Sequence, residues 1–555
     1  MATRSEHRIE KTEAVSNGAM ITAEHPLAAE AGARILAEGG NAVDAAVAAM
    51  FAMGVVEPTT SGLGGVAWCV IREPGGTITT IDGAGAAPLQ ATPDMYELQA
   101  SGASGMYGWP ATKGDTQNVG IRSVGQMGAV GCLCRALERY GTMDRTRVMR
   151  DAIALAANGW EVDWNLTLAL GLYYDRLAAI DASRAIFFRP SGAPLRTATG
   201  FEPGDRLVQR DLAESLRAVA AQGPEVLYGG ELGRAIATDV RAHGGLLTEA
   251  DFEHVQTGEH PALAVPYRGL DVHTLPGASG AITVVEMLRI LDGFELERSP
   301  ALSAPALHLL AEAQRRAFAD RFTYLADPAA IGQAIYDRLA SAEHAAEARS
   351  SIDPKRATPS ALATPVPPSS DCTTHVNVVD REGRMVALTS TLGGAFGSGV
   401  VAAGTGIMLA NVMTWFDPRP GHPNSIAGGK RILSAIAPMI LLRGGAPFVC
   451  TGAPGGRRIM SAVLHVVTNI VDWAEGPQEA VNSPRTHCES ADLLVDTRIP
   501  MATREALAAM GHHVVPRLET FASTHFARPS AIVVRGTERR AGVGALKSST
   551  AIGVD

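Results

Sequence analysis

The stretch Asp371-Cys-Thr-Thr-His-Val-Asn-Val-Val-Asp380 decides how this chain is read. A Pro/Ser-rich run from Ala357 to Ser370, with Pro359, Pro365, Pro367 and Pro368, leads into it. After it the pattern turns apolar and β-branched, first at Val376, Val378 and Val379 and then from Met385 to Ser390, which predicts strands. A flexible segment therefore meets a strand that begins on a threonine. A backbone cut between Cys372 and Thr373 would give Thr373 a free α-amine beside its hydroxyl. With a pKa of about 7.7–8.0, part of such an amine is neutral at pH 7. It can then act as the base for its own hydroxyl, the Thr–amine form of an activated nucleophile. Thr-Thr before a valine run is also an ordinary strand start, so residues further along have to decide.

Working outward, the 555 residues exceed what one hydrophobic core usually holds. One large multilayer body or two intimately packed parts is expected. With 46% apolar and 19% charged residues the composition is that of a soluble globular enzyme. The net charge of −9 argues against nucleic acid or an anionic membrane as partner, although local arginines can still bind a small anion. Met1 to Lys11 is polar, with no secretory h-region, and no apolar run is long enough to span a bilayer. Cytoplasm is the expected location. Cys69, Cys132, Cys134, Cys372, Cys450 and Cys488 are scattered without CxxC spacing. Buried free thiols are expected, not a zinc site or disulfide frame.

Leu27 to Glu38 and Ala42 to Met53 read as two helices separated by Gly39-Gly-Asn41, the second apolar all round and so buried. Val66–Ile71 and Thr77–Ile81 read as a hairpin. Helical spacing dominates from Val124 to Val255, and again in Ile282–Leu291, Pro305–Leu325 and Arg458–Trp473. Strands are expected in Leu263–Leu275, Val376–Met408, Pro438–Leu442 and Pro447–Thr451. Strands at both ends with helices between fit a layered α/β body, its sheets sandwiched between helices.

Downstream of Thr373 lie Thr389-Ser-Thr391, then Lys430-Arg431 with Ser434, then Thr451-Gly-Ala-Pro-Gly455-Gly456-Arg457-Arg458 opening a helix. Consecutive glycines at a helix start let a substrate oxygen approach backbone N–H groups where the helix end is positive, a good oxyanion site. There is no His-Glu-x-x-His, no Gly-x-Ser-x-Gly and no Ser-x-x-Lys, so metal and serine hydrolases are disfavoured.

These residues resemble the γ-glutamyltranspeptidases and their related acylases, N-terminal-nucleophile hydrolases that cut themselves into a large and a small subunit. The markers are Glu38-Gly-Gly-Asn-Ala-Val-Asp44, Glu57-Pro58 with Gly62-Leu-Gly-Gly65, Thr373 to Asp380, Gly421-His-Pro-Asn424, Lys430-Arg431, and Ala453 to Ile459, in this order over nearly the whole chain. The resemblance implies an αββα sandwich formed jointly by residues 1–372 and 373–555, with a Pro/Ser-rich linker at about 354–372. It implies Thr373 as nucleophile, Cys372–Thr373 as the scissile bond, and Thr391 as the hydroxyl that bonds the nucleophile. Gly455 and Gly456 match the oxyanion pair, and Ser434 matches a serine beside the substrate carboxylate. No cofactor or metal is called for. The partners implied are a small amide substrate and the two subunits, and a homodimer of processed units is compatible.

The departures bear on substrate. No Arg stands near Asp82–Gly85, where the family grips the α-carboxylate. Trp415 replaces the Asp that holds the α-amine, Gly393 replaces a substrate-binding Asn, and Ala435 replaces a second serine. A free amino-acid head would be left unpaired and costly to desolvate. The chain therefore resembles the cephalosporin-acylase-like branch, whose substrates carry a carboxylate without the α-amine. Arg457, and after it Arg458, Arg431 and Lys430, are candidates to hold that carboxylate, bidentately for an arginine. Hydrolysis of another small amide such as oxamate, of poly-γ-glutamate, or a non-catalytic metabolite-binding role are the alternatives.

Overall fold

Two seven-stranded antiparallel sheets face each other in the computed structural model, which describes residues 9–104, 107–359 and 372–555. Their strands are β1 (Ala14–Ser16), β2 (Ala19–Ala23), β3 (Val66–Arg72), β4 (Ile78–Gly83), β5 (Gly258–Pro261), β6 (Leu263–Tyr267), β7 (Leu270–Thr274), β8 (Thr373–Val379), β9 (Met385–Thr391), β10 (Met439–Arg443), β11 (Ala446–Gly452), β12 (Ser530–Arg535), β13 (Glu538–Val543) and β14 (Thr550–Val554). One sheet runs β1-β13-β12-β11-β10-β7-β6, and the other β14-β2-β8-β9-β3-β4-β5. The helices that matter here are α1 (Pro26–Ala37), α2 (Ala42–Val56), α3 (Ala281–Leu291), α4 (Ala304–Tyr324), α5 (Ala342–Ser350) and α6 (Arg458–Val471). α1 and α2 cover the second sheet, while α3 and α6 lie against the first. The layers are helix, sheet, sheet, helix, as expected.

Local chemistry sets these elements. α1 starts on Pro26, whose missing N–H costs nothing at that place, and stops at Gly39 with φ +93°. α2 opens with a capping box: Asn41 Oδ1 accepts from the Val43 and Asp44 amides at 2.8 and 3.1 Å, and Asp44 Oδ2 accepts from the Asn41 amide at 2.9 Å. Every residue of α2 but Gly54 is buried. An apolar helix of this kind belongs between layers.

β8 and β9 are buried at every position and pair in register from Thr373 opposite Thr391 to Val379 opposite Met385. Their neighbours on either side, β2 and β3, come from the chain before the linker. The first residues of the expected linker at about 354–372 are held in place. Asp353 to Thr358 is tied down: Asp353 O accepts from His308 Nε2 at 2.8 Å, Ala357 N donates to Met510 O at 2.8 Å, and Thr358 Oγ1 donates to Glu312 at 2.6 Å. Most of the expected linker, residues 360–371, lies outside the described residues. All six cysteines are buried, and none of them is in a disulfide. Among the described residues no helix is long and apolar enough to cross a membrane.

Candidate active site

Thr373 is the first residue of β8, and its side chain is almost completely buried. Its hydroxyl donates to Thr391 Oγ1 at 3.2 Å. Thr391 Oγ1 in turn donates to the Cys372 carbonyl and accepts from the Gly393 amide at 3.0 Å. A hydroxyl has one proton to give. With that proton on the Cys372 carbonyl, Thr391 is fixed as the acceptor of the Thr373 proton. The lone pairs of Thr373 Oγ1 are thereby left for attack.

His375, two residues on, is not placed for catalysis. Its Nε2 donates to Asn377 Oδ1 at 2.9 Å, and its Nδ1 accepts from Thr389 Oγ1 at 2.8 Å. Asn377 Nδ2 reaches Ser530 Oγ on the other sheet at 3.0 Å. Burial pushes the imidazole down to about 4, so it is neutral at pH 7. The Thr-His-Asn pattern thus ties the two sheets together beneath the nucleophile.

The same packing places the glycine loop. Cys450 Sγ lies 3.3 Å from Asn377 Oδ1, and a Cβ on Gly452 would stand 2.2 Å from the His375 ring. Stepping along β11 from 450 to 452 therefore runs back along β8 from 377 to 375. β11 ends at Gly452, and Pro454 to Gly456 follow in the loop before α6. Gly455 and Gly456 have φ +138° and +59°, and a Cβ on Gly455 would meet Ala527 at 2.5 Å, so that position needs glycine. α6 begins directly after, at Arg458.

A cavity with about 20 Å³ of room for water is lined by Tyr107, Trp109, Phe322, Leu325, Trp415, Asn424 and Leu433, together with Arg321 and Arg457. It adjoins the threonine pair through Gly393, because a Cβ there would lie 3.1 Å from the Trp415 ring and 2.2 Å from Asn411 Oδ1. Trp415 thus fills the space a side chain at 393 would need, and the two departures noted in the sequence compensate each other. Among the described residues no carboxylate lines this cavity.

The arginines sort differently from expectation. Arg457 is buried, and its fork is already taken: Nε and Nη2 bind Glu489 at 2.7 and 2.9 Å, and Nη1 donates to the Tyr107 carbonyl. Burial works to raise the Glu489 carboxyl, but Arg457 and His487 outweigh it and hold it well below the usual carboxylate range. A bidentate grip on substrate by Arg457 is therefore corrected to a bidentate grip on Glu489. Arg431 pairs with Asp82 at 2.8 Å, and Lys430 caps the Pro423 and Ser425 carbonyls. Arg458 stays buried at the start of α6.

The cation that sequence reading missed is Arg321, on α4. It is buried, lines the cavity, and donates to two carbonyls, Ser279 O at 3.2 Å and Ser434 O at 2.8 Å. Among the described residues it has no carboxylate partner. Burial lowers it to about 10, so it remains charged at pH 7. Ser434 is fully buried, with its hydroxyl 3.5 Å from the Ala278 carbonyl. A second, larger cavity of about 160 Å³ is lined by Thr60, Tyr173 and Ala395 among others.

The gamma-glutamyltranspeptidase family model matches residues 28–553. The acylase ACY 1 proenzyme of Pseudomonas sp. (strain SE83) is 39% identical over 508 residues, 91% of this chain and 89% of its own length. The glutathione hydrolase proenzyme of Escherichia coli (strain K12) is 36% identical over 512 residues, 89% of this chain and 85% of its own. The crystal structure of cephalosporin acylase from Bacillus halodurans matches with a TM-score of 0.87 at 26% identity, covering 100% of this chain and 99% of that one. With these relatives and this architecture, the chain belongs to the gamma-glutamyltranspeptidase family and is an N-terminal-nucleophile enzyme of the amidohydrolase and transpeptidase type.

Proposed function

We propose that the chain cuts itself between Cys372 and Thr373 and then hydrolyses an amide whose acyl group carries a carboxylate but no α-amine, a glutaryl-like substrate. Residues 1–372 form the large subunit and 373–555 the small one. In the uncut chain Thr373 Oγ1 attacks the Cys372 carbonyl carbon. Its proton passes to Thr391 Oγ1, which gives its own proton to the developing oxyanion on Cys372. The tetrahedral intermediate then collapses: its hydroxyl proton returns through Thr391 Oγ1 to the Thr373 nitrogen, the C–N bond breaks, and the Cys372 acyl group is left as an ester on Thr373 Oγ1. Water hydrolyses that ester, leaving a free Cys372 carboxylate and a free Thr373 hydroxyl and amine. In the mature enzyme that amine takes the hydroxyl proton as Thr373 attacks the substrate amide. The Gly455 and Gly456 amides hold the tetrahedral oxyanion. The amine then gives its proton to the leaving nitrogen as the substrate C–N bond breaks, and water, or an acceptor amine, attacks the acyl-enzyme and restores the Thr373 hydroxyl.

The observation that carries the substrate reading is Arg321, a buried cation with carbonyl partners alone, facing an aromatic cavity without an acidic group. A substrate carboxylate would give it the direct ion pair it lacks, since the Glu489 charge acts on it only from beyond ion-pair distance. An ammonium group beside Arg321 and Trp415 would find no acceptor of opposite charge. Ser434 acts through its carbonyl, which accepts from Arg321, while Trp415 and Gly393 shape the wall in place of polar groups.

The test compares glutaryl-4-nitroanilide with γ-glutamyl-4-nitroanilide on the processed protein. The glutaryl compound is expected to have a kcat/KM at least about tenfold higher, a difference of about 1.4 kcal/mol. Arg321→Gln should remove most of that advantage. Preference for the γ-glutamyl compound, or a Thr373→Ala chain that is still cut, defeats the reading. The small cavity volume favours one second reading, hydrolysis of a shorter acid amide such as oxamate. Ammonia release from oxamate in the same assay distinguishes the two.

A further inference from the structure

Far from the threonine pair, three helices of the layer on the first sheet bring together two carboxylates and an imidazole. Glu286 lies on α3, Asp320 on α4 and His344 on α5. His344 Nε2 is 2.8 Å from Asp320 Oδ2 and 3.2 Å from Glu286 Oε1. One N–H cannot satisfy both carboxylates, and no lysine or arginine pairs with either among the described residues. Glu286 is 1% exposed, and its second oxygen, Oε2, is buried without a partner, as is His344 Nδ1. Among the described residues, two acidic groups and one imidazole thus share a pocket whose positive charge can come only from the imidazole itself, whose charged form is favoured by the hydrogen bond to Glu286.

A second buried group, His308, Glu312 and His512, has similar composition but is chemically closed. His512 Nε2 and His308 Nδ1 bond each other at 2.8 Å, His308 Nε2 bonds the Asp353 carbonyl at 2.8 Å, and His512 Nδ1 accepts from Arg315 at 3.4 Å. Glu312 is held by Arg316 and Thr358. Every nitrogen and oxygen there has its partner, and arginines supply the charge.

We propose that Glu286, Asp320 and His344 form a divalent-metal site of the Zn²⁺ class. Zinc bonds of about 2.0–2.2 Å place neighbouring ligand atoms about 3.3–3.6 Å apart in a tetrahedron. The 3.2 Å separation is close to that, and the 2.8 Å separation opens towards it once the bridging proton is replaced by the ion. One imidazole nitrogen with carboxylate oxygens suits a borderline cation such as Zn²⁺ better than Mg²⁺, which takes oxygen alone. The Asp320 side chain is 22% exposed, so water can complete the fourth position and the ion has a way in. The ion takes the place of the proton that His344 Nε2 shares with the two carboxylates, and ties α3, α4 and α5 together. It sits one residue from Arg321, so it also fixes the helix turn that presents Arg321 to the cavity. The site is independent of the substrate assigned above.

The test uses the full chain, stripped with chelator and dialysed against micromolar Zn²⁺. Elemental analysis after gel filtration should give about one zinc per chain, and the melting temperature should rise with zinc. Bound Co²⁺ should show the visible bands of a tetrahedral site. Asp320→Asn, isosteric and partly exposed, should keep the metal-free melting temperature. It should also weaken binding by more than about tenfold, as should Glu286→Gln. Equal zinc content in wild type and Asp320→Asn, absence of binding, or loss of binding on His512→Asn instead would each overturn the proposal.

Discussion

Thr391 stands directly opposite Thr373 in the β8–β9 ladder, and its hydroxyl touches both the Thr373 hydroxyl and the carbonyl on the other side of the Cys372–Thr373 bond. One side chain therefore sees the attacking atom and the atom that gains charge. Thr391→Val keeps the shape and removes that contact. Self-cleavage should slow by about 10²-fold or more, the usual loss when one donor to an oxyanion is removed. Thr391→Ser should cleave at close to the wild-type rate. Fragment appearance against time on a denaturing gel decides it, and a Val variant as fast as the Ser variant removes Thr391 from the relay.

Arg457 and Glu489 are a buried pair, 4% and 3% exposed at the side chain. Breaking such a pair from one side leaves an uncompensated charge and costs about 3–5 kcal/mol. Glu489→Gln should therefore lower the melting temperature sharply, whereas Arg431→Gln, half-exposed beside Asp82, should change it little. Equal melting of the two variants contradicts the assignment of Arg457 to structure.

Gly393→Asn drives a side chain into Trp415 and Asn411 at a residue with φ +95°. Overpacking alone should cost about 1–3 kcal/mol. Combined with Trp415→Ala, which clears the space, the loss should fall short of the sum of the two single losses by about 0.5–3 kcal/mol. Chemical denaturation of the four proteins measures this, and strict additivity would show that the two positions do not share space.

The buried histidines should lower stability as the pH drops below 6.5. Burial pushes His375 down to about 4 and His465 to about 3, against 6.5 for an exposed ring. Between those values the unfolded chain binds protons that the folded chain does not. The contribution is nil above pH 6.5 and grows as the pH falls, by about 1.4 kcal/mol per pH unit for each ring until its folded pKa is reached. Buried Glu57 and Glu475, pushed up to about 7, act in the opposite direction, so the test is the difference between proteins: the wild-type urea midpoint should change less favourably from pH 7.5 to 5 than that of His375→Gln. Identical pH dependence in the two proteins would mean the His375 ring is protonated in the fold.

The strands, the capped helices and the threonine start were legible because each rests on local rules: β-branched runs, Gly-Asn stops, and a glycine loop before a helix. The order of motifs carried the family. The arginines were not legible. Arg457 in the sequence is a cation at a helix start, and nothing near it in the chain announces that Glu489, 32 residues on, folds back onto it. Arg321 lies within a regular helical pattern, and its place in the cavity is set by how α4 packs under Ser434. The 393–415 relationship was read as two separate losses, since only the fold shows that one residue occupies the room left by the other.

Each sheet is woven from both sides of Thr373. β8 and β9 lie between β2 and β3, and β10 to β13 lie between β1 and β7. A cut at Cys372–Thr373 would leave this weave intact, so neither fragment could be withdrawn without dismantling both sheets. The folded enzyme would then be insensitive to dilution. Its recovery from denaturant would become a two-body reaction, slower at low concentration and absent for either fragment alone, while the uncut Thr373→Ala chain would refold at a rate independent of concentration.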